Sequence, residues 1–263
     1  MSSVFFVTGS SRGLGRHIAE RALDAGHRVV ATARDPRALD DLVARYGDRV
    51  HVEPLDVTDA AAAEAAVAAG VAAFGRIDVV VNNAGQGDRV SLEDTTLDVF
   101  RRQIETNFLG TVYVTKAAIP VLRGQGGGRI IQISSVGGRV GSPGMTAYQS
   151  AKWAVGGFTE ALAAEVAPLG IKLTVLEPGG MRTDWGGASM TGSAPANSNS
   201  ASISWTGCQP VSTQTLLIAR ALRSGAAARP PRRSCRAPKK PVRSFPPAGA
   251  PAHPSEPQPD LFD

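Results

Sequence analysis

Tyr148 and Lys152 stand four residues apart in Ala147-Tyr-Gln-Ser-Ala-Lys152, so on a helix their side chains share one face. A tyrosine hydroxyl ionises at about pH 10, too high for an efficient base at neutral pH. A nearby ammonium favours the phenolate and draws that value down. The pair therefore reads as a proton donor and acceptor for a carbonyl or alcohol oxygen. Ser135, at the end of the fifth strand-like run, offers a hydroxyl that could hydrogen-bond the same oxygen. Ser134 is its alternative; strand alternation sends the two to opposite faces, so only one can serve. Tyr-x3-Lys alone is an ordinary helix face. Its weight comes from its companions.

The first companion is Thr8-Gly9-Ser10-Ser11-Arg12-Gly13-Leu14-Gly15, between a Val/Phe-rich run and a helical pattern. Gly9 can take backbone angles closed to other residues, Gly13 allows close approach to a pyrophosphate, and Gly15 permits tight helix-strand packing. The helix start offers free N–H groups and a positive dipole end to phosphate. Without that context the segment would be only a glycine-rich turn.

These residues need elements to hold them. Val4–Thr8, Arg28–Ala33, Val50–Leu55, Ile77–Asn82, Arg129–Ser134 and Ile171–Leu176 are rich in Val and Ile with little polar alternation, as strands covered on both faces are. Helical patterns lie between them, over Leu14–Ala25, Ala60–Phe74, Leu97–Leu122 and Ala147–Ala167. Such alternation predicts an α/β fold: a doubly wound parallel sheet of Rossmann type in three αβα layers.

With the elements placed, the chain resembles the short-chain dehydrogenase/reductase family over about residues 3–185. The resemblance rests on the Thr-Gly-x3-Gly-x-Gly loop and on Asn82-Asn83-Ala84-Gly85 after the fourth strand. It rests also on Asn107 in the following long helix, Ser135, Tyr148-x3-Lys152, and Pro178-Gly179 with Thr183 after the sixth strand. It implies hydride transfer between substrate carbon and a nicotinamide, with Tyr148 as general acid/base. Ser135 would bind the substrate oxygen, Lys152 the nicotinamide ribose, and Asn107 a water relaying protons from Lys152. Ser11, Leu14, Asp56, Val57, Asn83, Ala84 and Gly85 join the loop glycines as cofactor contacts. Asp56 would touch the adenine, and Thr183 the carboxamide. Asn82 is expected to satisfy backbone groups beneath the cofactor.

Cofactor choice turns on the end of the second strand, Ala31-Thr32-Ala33-Arg34. An NAD enzyme places a carboxylate there for the ribose hydroxyls. Arg34 can instead fork onto a 2′-phosphate, with Arg12 as a second charge, so NADP(H) is expected over NAD(H). The plainer alternative is a solvated Arg34, and Asp35 keeps NAD(H) open. The expected substrate is a small or medium secondary alcohol or ketone, partly apolar, in a pocket to which Met181, Trp153 and Trp185 could contribute or against which they simply pack. The resemblance also implies a homodimer or homotetramer packed through the helices carrying Asn107 and Tyr148.

Charge and composition divide the chain near Met190. Residues 1–195 carry 19 basic and 20 acidic side chains, whereas nine of the 28 Lys and Arg lie between Arg220 and Arg243. The net +5 thus describes the last third and is no reason to expect nucleic acid on the body. Twelve of the 18 prolines fall from Pro195 onward. A domain over 1–190 and a largely disordered Pro/Arg-rich tail over 191–263 are expected, with one candidate helix at Val211–Ser224 and no strand of the family's seventh kind. Such a composition is what a shifted frame of a GC-rich gene would produce, and a chain so altered could bind cofactor and yet be idle. A third reading makes the Arg/Pro tail a nucleic-acid-binding or partner-binding arm. Two cysteines, Cys208 and Cys235, with no ligand cluster beside them, predict no metal site. The N-terminus lacks a signal-peptide pattern, no run is long enough to cross a bilayer, and a cytoplasmic location is expected.

Overall fold

The computed structural model describes residues 2–180 and 190–192. In chain order its first half comprises β1 (Val4–Val7), α1 (Gly13–Asp24), β2 (Arg28–Ala33), α2 (Asp40–Tyr46), β3 (Val50–Pro54), α3 (Ala60–Phe74) and β4 (Val79–Asn82). There follow β5 (Gly87–Arg89), α4 (Leu97–Ile104), α5 (Gly110–Gly124), β6 (Gly128–Ile133), α6 (Thr146–Val166), β7 (Ile171–Leu176) and β8 (Met190–Gly192). Six strands pair in parallel in the order β3-β2-β1-β4-β6-β7. This is the doubly wound sheet expected from the sequence.

Strand alternation sorts the core into two layers. Phe5 and Val7 face one side with Val29, Ala31 and Val81, under Leu14, Ile18 and Leu23 of α1 and Leu42 of α2. Val4 and Phe6 face the other with Val30, Val80 and Ile130, under α3, α5 and α6. Both faces are covered, so the strands read as apolar runs. Asp59 caps α3 by accepting from Ala61 and Ala62 N–H, and Gly75 ends it in the left-handed region at φ 76°.

Three features depart from the sequence reading. Residues 40–46 form a helix, α2, that the sequence reading leaves unassigned. The stretch read as one helix, Leu97–Leu122, is interrupted by a π-helical turn at Glu105–Leu109, where Asn107 Nδ2 donates to the Gln103 carbonyl at 2.9 Å. A side chain that takes an acceptor of the helix ladder favours such a bulge. Finally, Met190–Gly192 pairs in parallel with Gly87–Arg89. That three-residue strand belongs to a separate two-stranded sheet, so it is not a seventh member of the main one. Among the described residues no helix is long and apolar enough to cross a membrane. The expected helix at Val211–Ser224, the Cys208 and Cys235 positions and the tail over 193–263 lie outside the described residues.

Candidate active site

The sheet reverses direction of winding between β1 and β4, and a cleft of about 470 Å³ opens there beyond the strand ends. One wall is the glycine loop. Gly9 and Gly13 have φ of 67° and 57°, values only glycine takes at little cost. A Cβ on Gly15 would stand 2.2 Å from the Gly9 carbonyl oxygen and 2.3 Å from Asn83 Nδ2. Gly15 is thus required by the loop and by Asn83, not by contact with the strand, and it lies behind the cleft wall. Arg12, at the N-cap of α1, gives no side-chain cap, so the first-turn N–H groups stay available to an anion. Gly9, Ser11, Arg12, Gly13 and Leu14 all line the cleft. The loop fits a pyrophosphate.

Thr8, to which the sequence reading assigns no role, joins the two walls. Its Oγ1 accepts from Asn83 N–H at 2.9 Å and Ala84 N–H at 3.0 Å, while Asn83 Nδ2 donates to the Thr8 and Gly9 carbonyls at 3.0 and 3.2 Å. The backbone groups expected to engage Asn82 are therefore held by Asn83. Asn82 is buried and donates to the side chains of Thr115 and Gln132 at 2.9 and 2.8 Å, because β4 and β6 sit side by side beneath α5. Asn83, Ala84 and Gly85 line the cleft.

At the far end, Arg34, Asp56 and Val57 complete the lining beside Arg12. Both arginines are exposed, and neither has an ion-pair partner among the described residues. Asp35 turns away: its carboxylate accepts from Arg37 Nε and Nη2 and from Arg37 N–H, capping the short turn Pro36–Leu39. The Arg37 bonds hold its carboxyl below the usual range. Asp56 Oδ1 is fixed by Thr58 N–H and hydroxyl at 3.0 and 2.8 Å.

At the near end Ser135, Tyr148 and Lys152 meet in the lining. Of the two serines, Ser135 is hydrogen-bonded to Tyr148, and Ser134 Oγ donates to the Lys152 carbonyl at 2.9 Å. Burial pushes the Tyr148 hydroxyl up to about 12, opposed by the Ser135 bond. Burial also brings the Lys152 ammonium down to about 8. Lys152 Nζ lies 5.9 Å from the Tyr148 ring centre and donates to the Ile133 carbonyl at 2.7 Å. The depression expected from Lys152 does not appear in the protein alone: desolvation of the nearly enclosed phenol sets the direction, and the Ser135 bond is what opposes it. Asn107 is fully buried behind Gly85. Its amide is held by Gln86 N–H and carbonyl at 3.0 and 2.8 Å and by the Gln103 carbonyl.

Pro178 and Gly179 line the same cleft, whereas Thr183, Met181 and Trp185 lie outside the described residues. Trp153 is no part of the pocket. It points out of α6 at 54% exposure, one residue past Lys152 and therefore on another face of the helix. The sequence reading does not single out Gln86, Asp88, Arg102 and Thr106, which also line the cleft; no motif marks them. Among the described residues no cluster of His, Cys, Asp and Glu could hold a metal.

The short chain dehydrogenase family profile matches residues 3–193. The chain belongs to that family. It is an NAD(P)-dependent oxidoreductase of the short-chain dehydrogenase/reductase type. Oxidoreductase BOA17 of Botryotinia fuckeliana is 57% identical over 191 residues, covering 72% of this chain and 70% of that protein. A short-chain dehydrogenase of Streptomyces avermitilis superposes with a TM-score of 0.79 at 38% identity, over 85% of each chain. ElxO, solved with NADP bound, gives 0.67 at 33% identity over 70% of this chain and 76% of its own. The 3-ketoacyl-(acyl-carrier-protein) reductase of Brucella melitensis, complexed with NADH, gives 0.66 at 30% identity over 69% and 76%.

Proposed function

We propose that the chain interconverts a carbonyl and a secondary alcohol with NADP(H) as the preferred cofactor, Tyr148 acting as general acid/base. The observation that carries this reading is the convergence of Ser135, Tyr148 and Lys152 on the cleft that the glycine loop walls. Bound nicotinamide supplies or accepts the hydride, and its oxidised form adds a positive charge that favours the phenolate. Ser135 holds the substrate oxygen beside the Tyr148 hydroxyl. Tyr148 gives its proton to that oxygen on reduction and takes it back on oxidation. Lys152, carrying no ion-pair partner among the described residues, is free to turn from the Ile133 carbonyl toward ribose hydroxyls. Asn107, held behind Gly85 by Gln86 and Gln103, keeps a second lone pair on Oδ1 for a water that relays protons from Lys152.

Preference for NADP(H) is supported by two exposed arginines at the adenosine end, without ion-pair partners among the described residues, and by Asp35 being taken by Arg37. A homo-oligomer packed through the helical segments carrying Asn107 and Tyr148 is part of the same reading, supported by the exposed Leu97 of α4 and Trp153 of α6, 70% and 54% exposed. So is a small or medium, partly apolar substrate in a protein of the cytoplasm, with no nucleic acid bound by the 1–190 domain.

A thermal-shift titration with NADPH and with NADH tests the cofactor. A larger rise with NADPH is expected, since stabilisation grows with the logarithm of ligand over Kd; equal rises would remove the preference. A screen of ketones with NADPH, run beside Tyr148→Phe, then tests the chemistry. The second reading, a cofactor-binding but idle protein, draws on the family match stopping at residue 193 of 263. It predicts the thermal shift with no turnover.

A further inference from the structure

Gln149 follows Tyr148 in the chain and is 8% exposed, yet the chemistry above makes no use of it. Its neighbours say what it does. Gln149 Oε1 accepts from Ser142 N–H at 2.7 Å, on the loop between β6 and α6. At the other end of the same loop, a Cβ on Gly137 would stand 3.2 Å from Gln149 Cγ, 3.4 Å from its Nε2 and 3.4 Å from Ser135 Oγ. Gly137 N–H in turn donates to Ser135 Oγ at 3.0 Å. The next glycine is pressed against the helix backbone: a Cβ on Gly138 would come within 2.8 Å of the Lys152 carbonyl oxygen.

These contacts form a chain of cause. A hydroxyl whose oxygen accepts from a fixed N–H has its own proton left to donate. The Gly137 bond therefore orients Ser135 as a donor, either to Tyr148 or to the substrate oxygen. The turn that presents Gly137 rests on the Gln149 side chain, and the far side of its loop is tied to the same amide through Ser142. We propose that Gln149 is a positioning residue, bracing the β6–α6 loop so that Gly137 holds Ser135 in its donating orientation. The proposal rests on the catalytic reading above for its effect on rate, though the bracing itself does not.

Three variants test it. Gln149→Met keeps the length and apolar bulk and removes the acceptor; Gln149→Glu keeps an acceptor for Ser142. Hydrogen exchange at the Gly137 and Ser142 amides reads the bracing without turnover. Gln149→Met should speed exchange at both, and Gln149→Glu should restore them. Misplacing a reacting group by a fraction of an ångström is costly, so Gln149→Met should lower kcat roughly tenfold with cofactor Kd unchanged, and Gln149→Glu should recover most of it. In a Ser135→Ala background the same change should cost less than about twofold, since residues acting through one another are not additive. Unchanged exchange at Gly137, or an equal loss of rate with and without Ser135, would overturn the proposal. A parent enzyme that binds NADPH but turns over no ketone defeats the catalytic reading instead, and the amide exchange still decides the bracing.

Discussion

At one end of the cleft, Arg12, Arg34 and Asp56 stand in solvent while backbone amides and glycines form the surface. At the other, Tyr148 and Lys152 are 6% and 3% exposed and lean on carbonyls and hydroxyls rather than on charges. The exposed end can read a phosphate through charge that water and salt screen. The buried end can shift ionisation by whole units because desolvation acts there at full strength. A binding subsite and a proton-transfer subsite thus differ less in residue type than in access to water.

Removing the proton at the buried end should have the largest effect. Tyr148→Phe is expected to lower turnover by about a thousandfold or more, in the range of general acid/base contributions, and to leave NADPH affinity within about twofold. Retained turnover would move the chemistry elsewhere in the cleft.

Burial of Lys152 should show in stability. Its folded value of about 8 lies below the ordinary 10.5, so between these values the unfolded chain binds more protons and stability rises with pH. Below about 8 both states are protonated and the full cost of the buried ammonium, about 3 kcal/mol at most, is present. Lys152→Met should therefore stabilise the fold at neutral pH and flatten that rise in a denaturant series. A parent whose stability is level from pH 8 to 10.5 would show that Lys152 is better solvated than its enclosure implies.

Gly15→Ala probes the loop between the two ends. Its methyl group would meet the Gly9 carbonyl and Asn83 well inside contact distance, so cofactor affinity should fall by about a hundredfold. Calorimetric titration with NADPH measures it.

The exposed end should give the smallest and most salt-sensitive effects. Arg34→Ala and Arg12→Ala should each weaken NADPH about tenfold and NADH little, with the difference shrinking as salt rises. Equal losses for both cofactors would mean that the arginines bind the pyrophosphate rather than the 2′-phosphate.

The strands and the glycine loop were legible because their signals are local. Val/Ile runs of β1, β2 and β4 and the Gly9/Gly13/Gly15 spacing carry their meaning within a few residues. The π-helical turn at Asn107 was not legible, since it depends on where the Gln86 backbone comes to lie after β4. The backbone-binding role expected of Asn82 fell to Asn83 for the same reason: only the packed loop beyond β4 decides which of two adjacent amides meets the Thr8 and Gly9 carbonyls. Residue type alone left Trp153 open between pocket lining and simple packing; the pitch of α6 carries it out to solvent.

By itself the sequence determined the parallel sheet, the anion-ready helix start and the Tyr148/Lys152 pair, since backbone propensity, periodicity and residue spacing act over short range. Only the tertiary structure decided that Ser135 rather than Ser134 meets Tyr148, that Asp35 turns to Arg37, and that Gln149 stands under the Ser135 loop. It also decided that, in the protein alone, burial holds the Tyr148 hydroxyl above its ordinary value. Those outcomes depend on which groups are buried together, and burial is a property of the packed chain as a whole.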